Sequence, residues 1–307
     1  MAKCAGHSTC WWKRYYTSYF PLIDLHIHTT SSDGTWTPEQ IVLGAKNLGL
    51  DAIAITDHDT FAGYEEAQPV AAREGVQLIR GIELSTKLPP ASPGGKAKTV
   101  HLLGYFLRPP EPALLEWVKE QQQIRHERNV QLSARLAELD VPVSLEEVRQ
   151  RGRSMAGRPH FAAIMVEKGY VKTLQEAFDK YLDEKGAAYV DKHDPTLAEG
   201  IRQVRESGGI ASLAHPIRLN RFGREEEDLI RQMAKMGLHA IEVYHSDHTP
   251  RHRERYEFLA QTYRLAVTGG SDFHGDNKPG VELGSGKGGN VAVPKNVLER
   301  LRSLSRG

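Results

Sequence analysis

The sequence contains little cysteine, no long apolar run and almost no net charge. Its two cysteines, Cys4 and Cys10, flank His7, and these three side chains fall short of the roughly four ligands of a structural zinc site. No apolar run reaches the roughly 18 residues of a membrane-spanning helix, and the N-terminus lacks the apolar core of a signal peptide. Lysine and arginine total 40 against 39 for aspartate and glutamate, so no overall field attracts nucleic acid or an anionic membrane. We expect a cytoplasmic protein with no membrane anchor, no evident stable protein partner and a disordered tail over residues 1–21.

The sequence does have a globular composition and many histidines. Hydrophobic residues make up 39% and charged residues 26% of the 307 residues, which provides a sizeable core and argues against intrinsic disorder. Fourteen histidines are many for this length. Their positions relative to the predicted strands therefore matter most.

Strand-like and helix-like segments alternate along two parts of the chain. The alternation begins with PLIDLHIH and the helical TPEQIVLGAKNLG. Such alternation predicts an α/β fold with a parallel sheet, and polar residues at the strand ends favour a barrel with its site at the carboxyl edge of the strands. The sequence between these two parts has the pattern of long charged helices, and we interpret this segment as an inserted lid. We predict a barrel formed by residues 22–108 and 196–307 and a helical lid formed by residues 109–195.

Residue types that bind metals follow nearly every predicted strand. They are His26, His28, Asp33, Asp57, His58, Glu83, His101, His215, His245, Asp272 and His274. A single histidine is more often an ordinary surface or core residue, but this interpretation would require many independent coincidences. Because alternate residues of a strand face the same side, His26 and His28 can point at one ion. Because the strand ends of a parallel barrel meet at one mouth, the pattern predicts a single metal cluster.

The chemistry of these side chains limits the metal. Imidazoles and carboxylates without cysteine suit zinc, manganese or iron better than calcium, which prefers oxygen ligands. The candidate ligands are too many for one ion. Several ions that share a carboxylate would raise the acidity of a bridging water and hold a phosphoryl group during in-line displacement.

The motifs at these positions resemble the polymerase and histidinol phosphatase (PHP) family. They are DLHIHTTSSDG, ITDHDT, GIELS, HLLGY, LAHP and GGSDFHG, and they occur within residues 22–293. The inserted segments GRPHFAAIMVEKGYV and EAFDKYLDEKGAAYV are similar to the helical insertion of those members that are 3′,5′-nucleoside bisphosphate phosphatases and 5′→3′ exoribonucleases. The resemblance implies a distorted (β/α)7 TIM-like barrel with an inserted helical lid domain and a trinuclear metal centre.

The resemblance also implies roles for individual residues. One ion would be bound by His26, His28, Glu83 and Asp272, a second by Asp33, His58 and His274, and a third by Glu83, His101 and His215. Every one of these positions carries the expected residue type. Asp57 and His215 are the expected catalytic residues, with Asp57 placed behind a ligand where it would orient an imidazole. We expect three divalent ions, with manganese as the metal and iron or zinc as alternatives.

The predicted lid contains the cations that a phosphate would require. Arg125 and Arg128 lie one helical turn apart, where they could bind a nucleotide phosphate or pair with glutamates on a solvated helix face. Arg158 and His160, in GRPH, come at a predicted helix start, where backbone N–H groups also favour anions. We predict that these four residues bind the substrate, and the alternative for the first two stays open.

The expected function is hydrolysis of nucleoside 3′,5′-bisphosphates, of short 5′-phosphorylated RNA, or of both, by a metal-bridging hydroxide. A histidinol-phosphate phosphatase would share the barrel and the metals but would give the lid no particular role. A polymerase-associated editing module is disfavoured, since the sequence outside the barrel is too short for a polymerase. A nucleotide-binding or metal-storing protein of the same fold is the non-enzymatic alternative, and the full ligand set argues against it.

Overall fold

A computed structural model describes residues 22–89, 97–152, 156–190 and 194–305. The tail over residues 1–21, for which the sequence predicts disorder, lies outside the described residues. The chain begins with β1 (Leu22–Ile27), α1 (Pro38–Leu48), β2 (Ala52–Ile55), α2 (Ala62–Glu74), β3 (Gln77–Leu88) and β4 (Lys98–Phe106). It continues with α3 (Pro112–Glu138), α4 (Leu145–Gly152), α5 (Arg158–Glu167), α6 (Leu174–Ala177) and a π-helical turn (Phe178–Leu182). The last part comprises α7 (Leu197–Glu206), β5 (Ile210–Leu213), α8 (Arg224–Lys235), β6 (Ala240–His245), α9 (Pro250–Tyr263), β7 (Ala266–Gly270), β8 (Val281–Glu282), β9 (Gly286–Lys287), β10 (Val293–Pro294) and α10 (Asn296–Leu304).

Eight strands form one nearly closed, barrel-like sheet in the order β10-β1-β2-β3-β4-β5-β6-β7. The pairs β1–β2, β2–β3, β5–β6 and β6–β7 are parallel. A parallel bridge between Ile27 and Phe273, just beyond the end of β7, brings the two sides of the sheet together. The predicted α/β barrel is confirmed, and the carboxyl ends of its parallel strands meet at one mouth.

Strand β4 departs from the parallel sheet that the sequence predicts, because it is antiparallel to both β3 and β5. Only residues 89–97 connect β3 to β4, whereas a parallel pair requires a crossover of about a dozen residues or more. Antiparallel pairing follows from this short connection. It also serves the site, since Ser85 lies opposite His101 and Glu83, two residues earlier, faces the same side as Ser85.

Helix α1 shows how local sequence sets the element next to the mouth. Thr37 Oγ1 accepts a hydrogen bond of 3.2 Å from the Gln40 N–H, and Gln40 Oε1 accepts one of 2.8 Å from the Thr37 N–H. This capping box satisfies two backbone donors at the helix start. Gly49 ends the helix with φ of 71°, which glycine adopts without strain. The polar turn that follows β1 therefore ends at a fixed helix start, Thr37.

Between β4 and α7 the described residues form helices and turns but no strand. Apolar side chains such as Leu132, Phe161 and Leu182 pack there in a cluster separate from those of the barrel. A helical segment with its own core accords with an inserted lid, whose boundaries at residues 109 and 195 stay a prediction. The described helices include none that is apolar over a length sufficient to cross a membrane.

Candidate metal centre

The first strand supplies two imidazoles to the mouth of the barrel. His26 and His28 are fully buried, and their ring centroids lie 5.2 Å apart. They face one side because alternate residues of an extended segment do so. The neighbouring β7 approaches this segment closely at Gly270, where a Cβ would lie 2.3 Å from the His26 backbone nitrogen. The HxH pattern therefore places both imidazoles in the same buried space.

A tight turn after β1 carries Asp33 back toward these imidazoles. Thr29 donates from its N–H and from Oγ1, both at 2.7 Å, to the two carboxylate oxygens of Asp57. The Ser32 hydroxyl also donates to Asp57. Gly34 follows, where a Cβ would come within 2.5 Å of a backbone carbonyl oxygen of the same segment. Asp57 thus supports the turn that presents Asp33, and no hydrogen bond joins it to an imidazole in the described part of the chain.

Glu83 of β3 lies at the centre of the cluster and is buried. Its Oε2 lies 3.0, 3.3 and 3.4 Å from Nε2 of His28, His58 and His26, respectively. Its Oε1 lies 3.0 Å from Nδ1 of His101 and 2.9 Å from Nε2 of His215. Each oxygen thus faces a different group of imidazoles, which is the arrangement a carboxylate needs if neighbouring ions are to share it.

Asp272 and His274 complete the cluster from the chain that follows β7. Oδ1 of Asp272 lies 3.4 Å from His26 Nε2, and His274 Nε2 lies 3.4 Å from Asp33 Oδ1. The other oxygen of Asp272 accepts a hydrogen bond of 2.5 Å from Lys278 Nζ. One oxygen of Asp272 therefore faces the cluster, while the second is held at its edge by Lys278 and by Arg218, whose Nη2 donates at 3.0 Å.

The ligands predicted from the sequence converge in space. Donor atoms within 4.8 Å of one another define several groups. One group comprises His28, Asp33, His58 and His274. It contains the whole predicted second set and adds His28. Another, three members of the predicted first set, comprises His26, His28 and Glu83. The predicted third set is divided between the group His58, Glu83 and His101 and the group His26, His215 and Asp272.

Buried nitrogens of the cluster lack hydrogen-bond partners. Within the described residues they include Nε2 of His26 and both ring nitrogens of His28, which have carboxylate oxygens 3.0–3.4 Å away but form no hydrogen bond with them. Buried polar atoms are normally satisfied, and coordination to an ion would satisfy the Nε2 atoms. The combination of imidazole and carboxylate donors also suits divalent transition metals. These residues therefore fit a divalent metal centre.

The electrostatics of the cluster favour the metal-binding protonation state at Glu83, His58 and His215 but oppose it at His28. Burial alone would raise the pKa of Glu83, but the surrounding imidazoles, with His58 the strongest of them, together outweigh burial and hold this pKa well below its usual range. Burial lowers the pKa of His58 to about 4 and that of His215 to about 3. Burial also disfavours charged His28, but Asp33 and Glu83 outweigh this and raise its pKa to about 9. Metal binding requires neutral imidazole, so an ion would displace the proton of His28.

Glu242 of β6 is a fully buried carboxylate that the sequence analysis did not single out. Its Oε1 lies 2.9 Å from His26 Nδ1, and its Oε2 accepts a hydrogen bond of 2.6 Å from the His215 N–H. Burial disfavours its charge, yet His26 helps to lower the pKa of Glu242 to about 2. A carboxylate at Nδ1 keeps the hydrogen there and leaves Nε2 of His26 to face the cluster. The available signal was a lone charged residue in the apolar strand AIEVYH.

Two of the predicted substrate residues lie on α3. Arg125 forms an ion pair with Asp59, the residue after His58. Arg128 is buried, and its Nε has no hydrogen-bond partner among the described residues. Burial, followed by the nearby charges of Arg158 and Arg125, lowers the pKa of Arg128 to about 10. Both α3 arginines are buried and therefore do not lie on a solvated helix face.

Arg158 and His160 lie at the start of α5. Arg158 Nη1 donates a hydrogen bond of 3.3 Å to the Leu182 carbonyl oxygen. His160 Nδ1 accepts one of 3.2 Å from the Gly157 N–H. Burial lowers the pKa of His160, and the Asp33 carboxylate opposes this shift.

The fold and the site define a class of protein, a barrel hydrolase that uses divalent metals at the carboxyl ends of its strands. A family model, the PHP domain, matches residues 24–188. The chain belongs to the PHP domain family, and it is a metal-dependent phosphoesterase.

Three relatives with different named activities match most of the chain. The 5′-3′ exoribonuclease Rnm of Escherichia coli is 33% identical over 271 residues, which cover 87% of this chain and 90% of the relative. The 3′,5′-nucleoside bisphosphate phosphatase of Chromobacterium violaceum is 31% identical, with coverage of 85% and 90%. The phosphoribosyl 1,2-cyclic phosphate 1,2-diphosphodiesterase of Eggerthella lenta is 34% identical, with coverage of 82% and 94%. Because these identities are so similar, identity alone does not select a substrate.

A solved structure supports the same class. The crystal structure of a metal-dependent phosphoesterase from Bifidobacterium adolescentis superposes with a TM-score of 0.70 and 31% sequence identity, covering 92% of this chain and 96% of that chain. The predicted family, fold and enzyme class are confirmed. An enzymatic function thereby takes precedence over the nucleotide-binding and metal-storing alternatives.

Proposed function

We propose that the protein hydrolyses phosphate esters of ribonucleotides, either nucleoside 3′,5′-bisphosphates or short 5′-phosphorylated RNA. The observation that carries this proposal is a buried cationic site on the helical segment, separate from the metal cluster. Arg128 is buried there beside the charges of Arg125 and Arg158. Asp59 pairs with Arg125, and Asp194 opposes the positive charge at Arg128, but the three arginines outnumber these two carboxylates, and a buried cation is costly without an anion. A substrate with one phosphate at the metal cluster and a second phosphate at these arginines would use both sites.

The relatives support this choice and supply its competitor. Two of them are named for activity on RNA ends and on nucleoside bisphosphates. The third is named for a phosphoribosyl cyclic phosphate, which also carries more than one phosphate but has no nucleobase. A histidinol-phosphate phosphatase needs no second phosphate site, so the buried arginines would have no substrate group to bind.

We further propose a trinuclear centre with manganese as the metal and iron or zinc as alternatives. The proposed sets are His26, His28, Glu83 and Asp272, then Asp33, His58 and His274, and then Glu83, His101 and His215. When bound, the ions supply an acidified water as the nucleophile and positive charge for the phosphoryl oxygens. Glu83 separates two groups of imidazoles with its two oxygens. Of the residues predicted to be catalytic, His215 contacts Glu83, whereas Asp57 acts through the turn that presents Asp33.

The test compares four substrates on the manganese-loaded protein. We expect phosphate release from adenosine 3′,5′-bisphosphate and mononucleotide release from 5′-phosphorylated RNA. The kcat/KM for these should exceed that for histidinol phosphate by roughly a hundredfold, since two charge-assisted contacts at about 1.5 kcal/mol each would be lost without a second phosphate. It should also exceed that for phosphoribosyl 1,2-cyclic phosphate, which has no nucleobase. A preference for either competitor would overturn the proposal. Metal analysis of protein purified without chelator, with replacement by manganese, iron and zinc, tests the metal assignment.

A further inference from the structure

A cavity of about 480 Å³ lies between α3 and α4, outside the metal cluster. From α3 it is lined by Gln122, Gln123 and Asn129, among others, and from α4 by Leu145 and Val148. Its volume falls within the roughly 300–1,000 Å³ typical of small-molecule sites. A cavity of this size is large enough for a nucleobase with room for solvent.

The lining combines an apolar wall with hydrogen-bonding groups. Leu145 provides apolar surface, with the buried Val148 behind it, while the α3 side provides amide groups that can both donate and accept. Asn129 is buried, its Nδ2 donates to the Ala156 carbonyl oxygen at 2.7 Å, and its Oδ1 has no partner within the described residues. The described residues that line the cavity include arginines and a lysine but no carboxylate. The site therefore suits a flat, partly apolar group that belongs to an anion and carries an N–H donor.

The inner end of the cavity adjoins the metal cluster. Gln122 Nε2 donates a hydrogen bond of 2.7 Å to the Asp59 carbonyl oxygen. Arg125, which also lines the cavity, forms an ion pair with the Asp59 carboxylate. Asp59 follows His58, whose Nε2 lies 3.3 Å from Glu83 Oε2. The cavity lining and the cluster are thus connected through Asp59, and a ligand that reached both would lie along α3.

We propose that this cavity binds the nucleobase of the nucleotide whose phosphate lies at the metal cluster. The proposal rests on the proposed function and specifies how a nucleotide is distinguished from a plain sugar phosphate. The base lies against Leu145, and its edge donates to Oδ1 of Asn129. Arg149, an exposed residue at the rim with Nη2 3.3 Å from His126 Nδ1, covers the other face, as a planar guanidinium can.

The test compares substrates with and without a base. Gln123 and Arg149 are exposed lining residues, so the double variant Gln123→Ala/Arg149→Ala should fold normally. For adenosine 3′,5′-bisphosphate we expect its KM to rise about tenfold, as base stacking contributes enough for that factor. The KM for ribose 3,5-bisphosphate should change less than about twofold, since that compound carries the same phosphates without a base.

The matched control is Arg151→Ala, which removes the same charge from the same helix. Arg151 is exposed and pairs with Glu167 at 2.6 Å, outside the cavity lining. It should leave both KM values unchanged. An unchanged nucleotide KM in the double variant, or an equal rise for both substrates, would overturn the base site.

Equilibrium binding separates this inference from the proposed function. Calorimetry should show that the wild-type protein binds adenosine 5′-monophosphate at least about tenfold more tightly than ribose 5-phosphate, and that the double variant loses most of this preference. If neither bisphosphate is hydrolysed, the proposed function fails, and this binding result would still support the base site. Equal affinity of the wild type for the two ligands would overturn the base site even if both bisphosphates were hydrolysed.

Discussion

The metal cluster and the arginines of the helical segment use charge in opposite ways. In the cluster, the Glu83 carboxylate lies within 3.4 Å of five imidazoles, so a negative group is surrounded by groups that can carry positive charge. On α3, Arg128 is buried beside the charges of Arg125 and Arg158, which Asp59 and Asp194 offset only in part. The cluster is therefore complementary to cations, whereas the arginines are complementary to an anion. The two regions together match a metal-bound reaction on a substrate with two charged ends.

The largest expected effect tests the cluster itself. His26→Ala and Asp33→Ala should each reduce kcat/KM by at least roughly a thousandfold, because a missing ligand removes several kcal/mol of charge stabilisation. His26 lies by Asp272 and Glu83, whereas Asp33 lies by His274, so the two variants should lose different ions. Phosphate release and metal content per chain are the measurements.

Asp228→Ala is the control for this pair of variants, since Asp228 is a partly exposed aspartate that pairs only with surface Arg231 among the described residues. It should retain both activity and metal. The ligand assignment is refuted if His26→Ala and Asp33→Ala contain as much metal as the wild-type protein.

The next effect tests how the barrel supports the cluster. In Glu242→Gln one of the two oxygens that face His26 and the His215 N–H becomes an NH₂ group, which places a donor against a donor. We expect metal affinity to fall by about 10–100-fold, with activity recovering at high metal concentration. Metal titration of activity measures the shift. Glu226→Gln is the matched control, since Glu226 is also buried but bonds Tyr256 at 3.0 Å; equal metal affinity in both variants would exclude the role of Glu242.

A smaller effect concerns the pH dependence of stability that the buried residue His248 causes. His248 Nδ1 donates to the Val243 carbonyl oxygen at 2.7 Å, and burial lowers the pKa of His248 to about 4. Its unfolded pKa is about 6.5, so the unfolded chain binds a proton first as the pH falls through this window. His248 therefore lowers the free energy of unfolding below pH 6.5, by about 2 kcal/mol between pH 7.5 and 5.

His248→Gln should remove this pH-dependent loss, whatever its cost in stability at pH 7.5. Urea unfolding of metal-free protein at the two pH values isolates the effect from metal release. The same acid-induced loss of unfolding free energy in wild type and variant would show that another group is responsible.

The smallest effect tests the anion site. Arg158→Ala should raise the KM for adenosine 3′,5′-bisphosphate about tenfold, the order of one charge-assisted hydrogen bond. It should leave the KM for adenosine 3′-monophosphate unchanged, because that substrate has no second phosphate. Steady-state kinetics with both substrates provide the comparison, and Arg151→Ala is the control. An equal loss for the two substrates would place Arg158 elsewhere in the mechanism and would remove the contrast between the two regions.

The parts of the site predicted from sequence are those that depend on local geometry. His26 and His28 face one side because they alternate on an extended segment, and the residues at strand ends converge because parallel strands share a mouth. Asp57 illustrates the limit of this reasoning. Its position beside His58 indicates proximity to the cluster, but only the packing of the turn reveals that its oxygens accept hydrogen bonds from Thr29 and Ser32.

By itself, the sequence determined the barrel class, the family and the set of metal-binding residue types, because periodicity and short motifs record which residues follow each strand. Only the tertiary structure decided that β4 is antiparallel, that Glu242 supports His26 and His215, and that a cavity lies between α3 and α4. These features depend on contacts between residues far apart in the chain. Pairing register, burial and the space between two helices are properties of the packed molecule, and no local pattern encodes them.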